Sequence, residues 1–117
     1  MFNINAGKLI ESADESLKDA EYLLKKYHRT ENERINIAIA SSAPFVLTLE
    51  ALHKSREFAD KYKVLISIHL HESKNEVKQW KEMFGKSEVQ YYEEKVPEFL
   101  GPDVLGVHCV CGWTSKI

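Results

Sequence analysis

No run of apolar residues in this chain approaches the roughly twenty that a membrane-spanning helix needs, so a bilayer is not among its expected partners. The N-terminal stretch Met1-Phe2-Asn3-Ile4-Asn5 has neither the charged nor the apolar region of a secretory signal. Cysteine is scarce: Cys109 and Cys111 are the two, one residue apart, too few and too close for a disulfide framework. A reduced, cytoplasmic protein is the expectation. An excess of one charge is missing too. The net charge is −2, and the lysines are dispersed among glutamates without forming a basic stripe, which argues against nucleic acid. Low-complexity segments are absent. At 117 residues the chain has room for one small core, and residues 1–117 read as a single domain or part of one.

What is present is organised around Val64-Leu65-Ile66-Ser67-Ile68-His69-Leu70-His71-Glu72-Ser73. Side chains alternate across a strand. Val64, Ile66, Ile68 and Leu70 therefore make one aliphatic face, suited to a cover of helices. Leu65, Ser67, His69 and His71 make the other, which turns polar at its C-terminal tip. Ser73 and Glu76 then form a capping box that opens a helix. Ligands of α/β folds gather beyond the carboxyl ends of strands, and His-x-x-Glu stands at such an end. The same residues also fit a buried strand with two hydrogen-bonded histidines.

On either side, helices and strands alternate. Ser12-Ala13-Asp14-Glu15 is a capping box, and Ala13, Leu17, Ala20, Leu24 and Tyr27 recur at helical spacing, predicting a helix over 13–28. Arg29 to Glu33 is a polar connection. Arg34 to Ser42 reads as a strand, with Ile35, Ile37 and Ile39 on its bulky face and Asn36, Ala38, Ala40 and Ser42 on its small one. Pro44 ends it. A helix follows from Thr48 to about Lys61, with Leu49, Leu52, Ala59 and Tyr62 inward. After the central strand come a helix over 74–84 on the stripe Val77, Trp80 and Phe84, a C-cap at Gly85, and a short helix opened by Ser87 and Gln90. Tyr91-Tyr92-Glu93-Glu94-Lys95 reads as its exposed flank. The third strand is Val104 to His108, where Val104, Gly106 and His108 share a face, expected to be the inner one together with Leu65, Ser67, Ala38 and Ala40. Strands alternating with helices imply a parallel sheet with right-handed crossovers. The expected fold is α/β: three parallel strands in chain order with flanking helices on one face.

If the second and third strands are neighbours, His69, Glu72 and His108 converge. Imidazole is a good ligand for zinc or iron, and a carboxylate three residues on is placed to shuttle a proton. His71, on the same strand face as His69, would reach the same site. A catalytic zinc normally has three protein ligands, so a loosely held metal is the most these histidines promise. Metal binding through Cys109 and Cys111 is less expected than two small buried or loop thiols. His28 and His53 read as solvated helix residues.

Three motifs taken together resemble a known family. Ser42-Ala43-Pro44-Phe45, then Ile68-His69-Leu70-His71-Glu72-Ser73, then Gly106-Val107-His108-Cys109-Val110 look like the middle of an amidohydrolase, over roughly residues 13–110. The group most similar is the aminohydrolases that deaminate 5-methylthioadenosine, S-adenosylhomocysteine or related chlorinated rings. The resemblance implies a segment of a metal-dependent (β/α)₈ barrel around strands four to six. It implies that His69 is the fifth-strand metal ligand and Glu72 the acid/base that protonates the ring nitrogen. It implies that His108 contacts the hydrolytic water. Where the family carries a substrate-contacting histidine this chain has Ser42, which weakens nucleoside recognition.

The family's His-x-His metal pair does not precede residue 69, and no aspartate of an eighth strand follows. The expectation is an incomplete barrel-like domain, inactive in isolation, that binds zinc or iron weakly or not at all. It would join a second copy or a complementing barrel segment. The alternative is a small stand-alone α/β binding module with structural histidines.

Overall fold

The computed structural model describes residues 13–41 and 49–110, and expectations for Ser12, Ser42, Pro44, Thr48 and Cys111 lie outside them. Helix α1 (Ala13–Tyr27) and α2 (Thr30–Glu33) lead into strand β1 (Ile39–Ser41). Helix α3 (Leu49–Tyr62), strand β2 (Ile66–Leu70), helices α4 (Lys74–Phe84) and α5 (Glu88–Lys95) and strand β3 (Val104–His108) follow. The sheet order is β1-β2-β3, parallel throughout, as the alternation of elements implies.

The aliphatic alternation of the central strand is realised in full. Val64, Ile66, Ile68 and Leu70 are all at most 3% exposed, whereas Leu65 on the opposite face is 52% exposed. Burying that face at about 2 kcal/mol per aliphatic side chain is what fixes the register of the strand. Leu24 of α1, Leu52, Phe58 and Ala59 of α3, Trp80 of α4 and Tyr92 of α5 complete the core over it. Helix α1 sits on α3 through Leu17 and Ala20, with Lys54 bonded to Asp14 at 2.9 Å and the Tyr62 hydroxyl donating to Glu21 at 2.5 Å. Acidic residues open α1 and lysines close it, the arrangement that suits its dipole.

β1 is shorter than the span 34–42. The residues before it bond backwards to the end of α1 and not sideways to β2. Ile35 bridges Thr30 in antiparallel fashion, Arg29 N–H donates to the Ile35 carbonyl at 2.7 Å, and the Ile37 N–H donates to His28 Nδ1 at 3.0 Å. His28 is therefore half-buried and bonded, correcting its reading as a solvated helix residue. The turn α2 is left-handed at Glu31, Asn32 and Glu33.

Three further corrections follow from packing. Tyr92 is 1% exposed and meets Trp80 at 5.9 Å and Phe99 at 5.7 Å between ring centroids, so Tyr91-Tyr92 is not an exposed flank. The register pairs Ile66 with Val104 and Ile68 with Gly106, so Val104 and Gly106 lie on the covered side; the open face carries Leu105 instead. Gly106 has a steric reason there: a Cβ would lie 2.8 Å from Cys109 Sγ and 3.3 Å from Leu70 Cδ1. Third, the capping box of α4 closes one residue early. Ser73 Oγ accepts from Glu76 N–H, and the Glu76 carboxylate accepts from Glu72 N–H at 2.7 Å. Ser87 and Gln90 make the full reciprocal box at α5.

At the N-terminal end of β3, Arg56 of α3 ties the layers together. Its guanidinium donates to both carboxylate oxygens of Asp103, to the Phe99 carbonyl at 3.3 Å and to Asp60 at 2.6 Å. The Arg56 hydrogen bonds hold the Asp103 carboxyl below the usual carboxylate range.

Candidate functional site

The C-terminal ends of β2 and β3 are adjacent, since Leu70 pairs with His108 and His69 with Val107. His69 stands on the open face of β2, as the alternation requires, and is exposed. His108 pairs in register with Leu70 and by alternation would point under the helices. It does not. Left-handed backbone at His108 (φ 75) and Cys109 (φ 51) breaks the alternation, and its ring meets that of His69 edge-on at 4.8 Å and 89°. Glu72 lies in the loop after β2, and its Oε1 is 3.9 Å from His108 Nε2. One ligand atom from each of His69, Glu72 and His108 lies within 4.8 Å of the others, and all three residues are exposed.

Two imidazoles and a carboxylate converging at strand ends are the donor types that suit zinc, so the residues present fit part of a metal centre. An exposed carboxylate beside an imidazole can also accept and return a proton.

His71 is not part of this cluster. β2 ends at Leu70, and a left-handed φ of 47° at His71 turns its side chain into the protein, where it is fully buried. The period-two argument fails there because the strand has stopped. The Val110 N–H still donates to the His71 carbonyl at 3.1 Å and the Cys109 N–H to the Leu70 carbonyl at 2.9 Å, which pins the loops after β2 and β3 to one another. Cys109 packs against the core behind Gly106 and stays outside the donor cluster, in keeping with a small packed thiol. His53 is exposed on α3, as expected.

One residue near the site has no signal in the sequence. Glu88 opens α5, where a glutamate ordinarily faces solvent, yet it is fully buried. Its Oε2 accepts the His71 N–H at 3.2 Å and its Oε1 accepts the Tyr92 hydroxyl at 3.0 Å. Desolvation pushes its carboxyl up to about 7, against the two hydrogen bonds, which pull it down, and with a small upward push from Glu76.

Comparison with known proteins gives the family and the fold. A model of the amidohydrolase family matches residues 2–112. A 5-methylthioadenosine/S-adenosylhomocysteine deaminase of Desulfitobacterium hafniense is 36% identical over 88 residues, covering 75% of this chain and 20% of that protein. A 5'-deoxyadenosine deaminase of Methanopyrus kandleri is 35% identical over 97 residues, 83% of this chain and 22% of that one. Among solved structures, an adenosine deaminase of Xanthomonas campestris with bound zinc has a TM-score of 0.73 at 21% identity, over 86% of this chain and 22% of the other. An atrazine chlorohydrolase of Arthrobacter aurescens complexed with zinc gives 0.75 at 18%, over 88% and 22%. At these identities the structural likeness establishes the fold: three parallel strands and their helices, a partial stretch of a (β/α) barrel. The chain spans about a fifth of the length of the curated relatives it matches. With the family model running through nearly all of it, the chain belongs to the amidohydrolase family.

Proposed function

We propose that this chain supplies one part of a metal-dependent aminohydrolase site that removes an amino group from an adenosine-type ring. The observation that carries the reading is the convergence of His69, Glu72 and His108 at the adjacent ends of β2 and β3. It is supported by relatives that are named as deaminases of such compounds and by two neighbours solved with zinc. In this reading His69 holds the metal. Zinc, when bound, supplies Lewis acidity and lowers the pKa of a water to about 7. Glu72 carries a proton to the ring nitrogen and His108 orients the water by hydrogen bonding. Their exposure on the open side of the sheet, away from the helices, leaves room for a ring to approach.

One imidazole from β2 and one from β3 do not complete a catalytic set. The remaining ligands and strands would come from chain outside these residues or from a partner, and the isolated chain would be inactive. Residues 1–117 would then be one incomplete barrel-like domain. Ser42, in place of the family's substrate-contacting histidine, would weaken contact with the nucleoside.

Zinc titration followed by calorimetry tests the ligand assignment. The expected result is saturable but weak binding, weakened further in His69→Ala. No ammonia release from 5-methylthioadenosine or adenosine is expected from the chain alone. Equal zinc affinity in wild type and His69→Ala would contradict the assignment. Metal-dependent turnover by the isolated chain, lost in Glu72→Gln, would contradict the need for completion.

A further inference from the structure

Glu72 can serve the site only if the loop between His69 and Glu72 is held in place. That loop turns through His71, whose left-handed backbone (φ 47) is unfavourable for a non-glycine residue. Such a conformation persists only where neighbours over-determine it. The His71 carbonyl is held by the Val110 N–H at 3.1 Å, and the Glu72 N–H by the Glu76 carboxylate at 2.7 Å. The His71 N–H is held by Glu88 at 3.2 Å, from beneath the loop. Glu88 is itself fixed, fully buried at the start of α5 with its second oxygen bonded to Tyr92. Burying a carboxyl group is unfavourable unless it is hydrogen-bonded, and an apolar residue of similar size would serve packing alone at lower cost.

We propose that Glu88 is a positioning residue: by holding the His71 N–H in its left-handed turn, it fixes where Glu72 stands relative to His69 and His108. This deepens the metal-site reading and rests on it. Glu88 is fully buried and is not one of the three donors, so it acts through the backbone of residues 71 and 72. The helix that carries it thereby links the packed interior to the exposed donor triad. A carboxamide oxygen can accept the same N–H, so Glu88→Gln should preserve the arrangement. Glu88→Leu keeps the volume and removes the acceptor.

The test uses the full chain in both variants, with folding followed by circular dichroism. In Glu88→Leu, amide hydrogen exchange at His71 and Glu72 should rise on the order of tenfold, the worth of one typical intramolecular hydrogen bond. Exchange at Ile66 and Ile68 should not change. The nuclear Overhauser contact between the Glu72 and His108 side chains should weaken. Zinc affinity should fall about 10–100-fold, the usual effect of removing an outer partner of a metal site. Glu88→Gln should stay close to wild type in all three. A folded Glu88→Leu chain with unchanged exchange at His71 and Glu72, or with altered exchange but an unchanged Glu72–His108 contact, would overturn the proposal. Should Glu88→Leu fail to fold, Glu88→Gln decides, since loss of the Glu72–His108 contact there would show that accepting the His71 N–H is not what matters. A wild-type chain that bound no zinc would defeat the metal-site reading, while the two metal-free measurements would still judge Glu88.

Discussion

At the scale of single residues, the burial of Glu88 gives the fold a pH dependence of definite sign. Its carboxyl is raised from 4.5 to about 7, chiefly by desolvation, with the His71 N–H and Tyr92 hydroxyl opposing and Glu76 adding to the rise. Between those two values the folded chain holds a proton that the unfolded chain has released, so stability falls as pH rises. The advantage is full below pH 4.5 and is lost as pH passes 7, an amount of about 3 kcal/mol. Urea denaturation from pH 5 to pH 8 should show this decline, and Glu88→Gln should flatten it. A wild-type chain more stable at pH 8 than at pH 5 would contradict the burial. Nothing in the sequence marks Glu88, because its burial comes from where α5 lands on the loop after β2. His69 and Glu72 were legible because they sit at the tip of a strand whose aliphatic face is unambiguous. His71 was misplaced by the same alternation, which has no force once the chain turns left-handed.

At the scale of elements, the joint between α3 and the entry to β3 depends on Arg56, whose side chain is 12% exposed. Replacing it with alanine leaves Asp103 and the Phe99 carbonyl without their donor. Arg56→Ala should therefore cost about 2–3 kcal/mol, the range for charge-assisted, partly buried hydrogen bonds. A denaturation midpoint unchanged within error would show the joint to be dispensable. Helices α1, α3, α4 and α5 and the third strand were legible from caps and periodicity, with α4 and β3 running over the spans their patterns predict, whereas the turn α2 was read as a polar connection. β1 was not. A run of alternating isoleucines states a preference for extended backbone but not which partner takes its hydrogen bonds, and here the end of α1 takes those before Ile39.

On the whole-molecule scale, the sheet has one covered face and one open one. Leu65 and Leu105 are more than half exposed on the open side, and among the described residues β1 and β3 each pair along one edge alone. Unpaired strand edges and an apolar face favour joining another chain. Light scattering after size exclusion should show a dimer, a larger assembly or precipitation; a folded, monodisperse monomer of 13.5 kDa at tens of micromolar would contradict this. That the strands are parallel and ordered along the chain was readable from their alternation with helices. The open face was readable only in outline, because the side to which Val104 and Gly106 belong depends on a register that no single strand specifies.

The central claim, that these strand ends are part of a deaminase site, is tested most directly by completing the barrel. Residues 13–110 would replace the matching segment of the Desulfitobacterium hafniense relative, and the chimera would be assayed for ammonia release from 5-methylthioadenosine. Metal-dependent release is expected, reduced by Ser42, improved by Ser42→His and abolished by Glu72→Gln. A folded, zinc-loaded chimera that releases no ammonia even with Ser42→His, or whose release survives Glu72→Gln, would contradict the account.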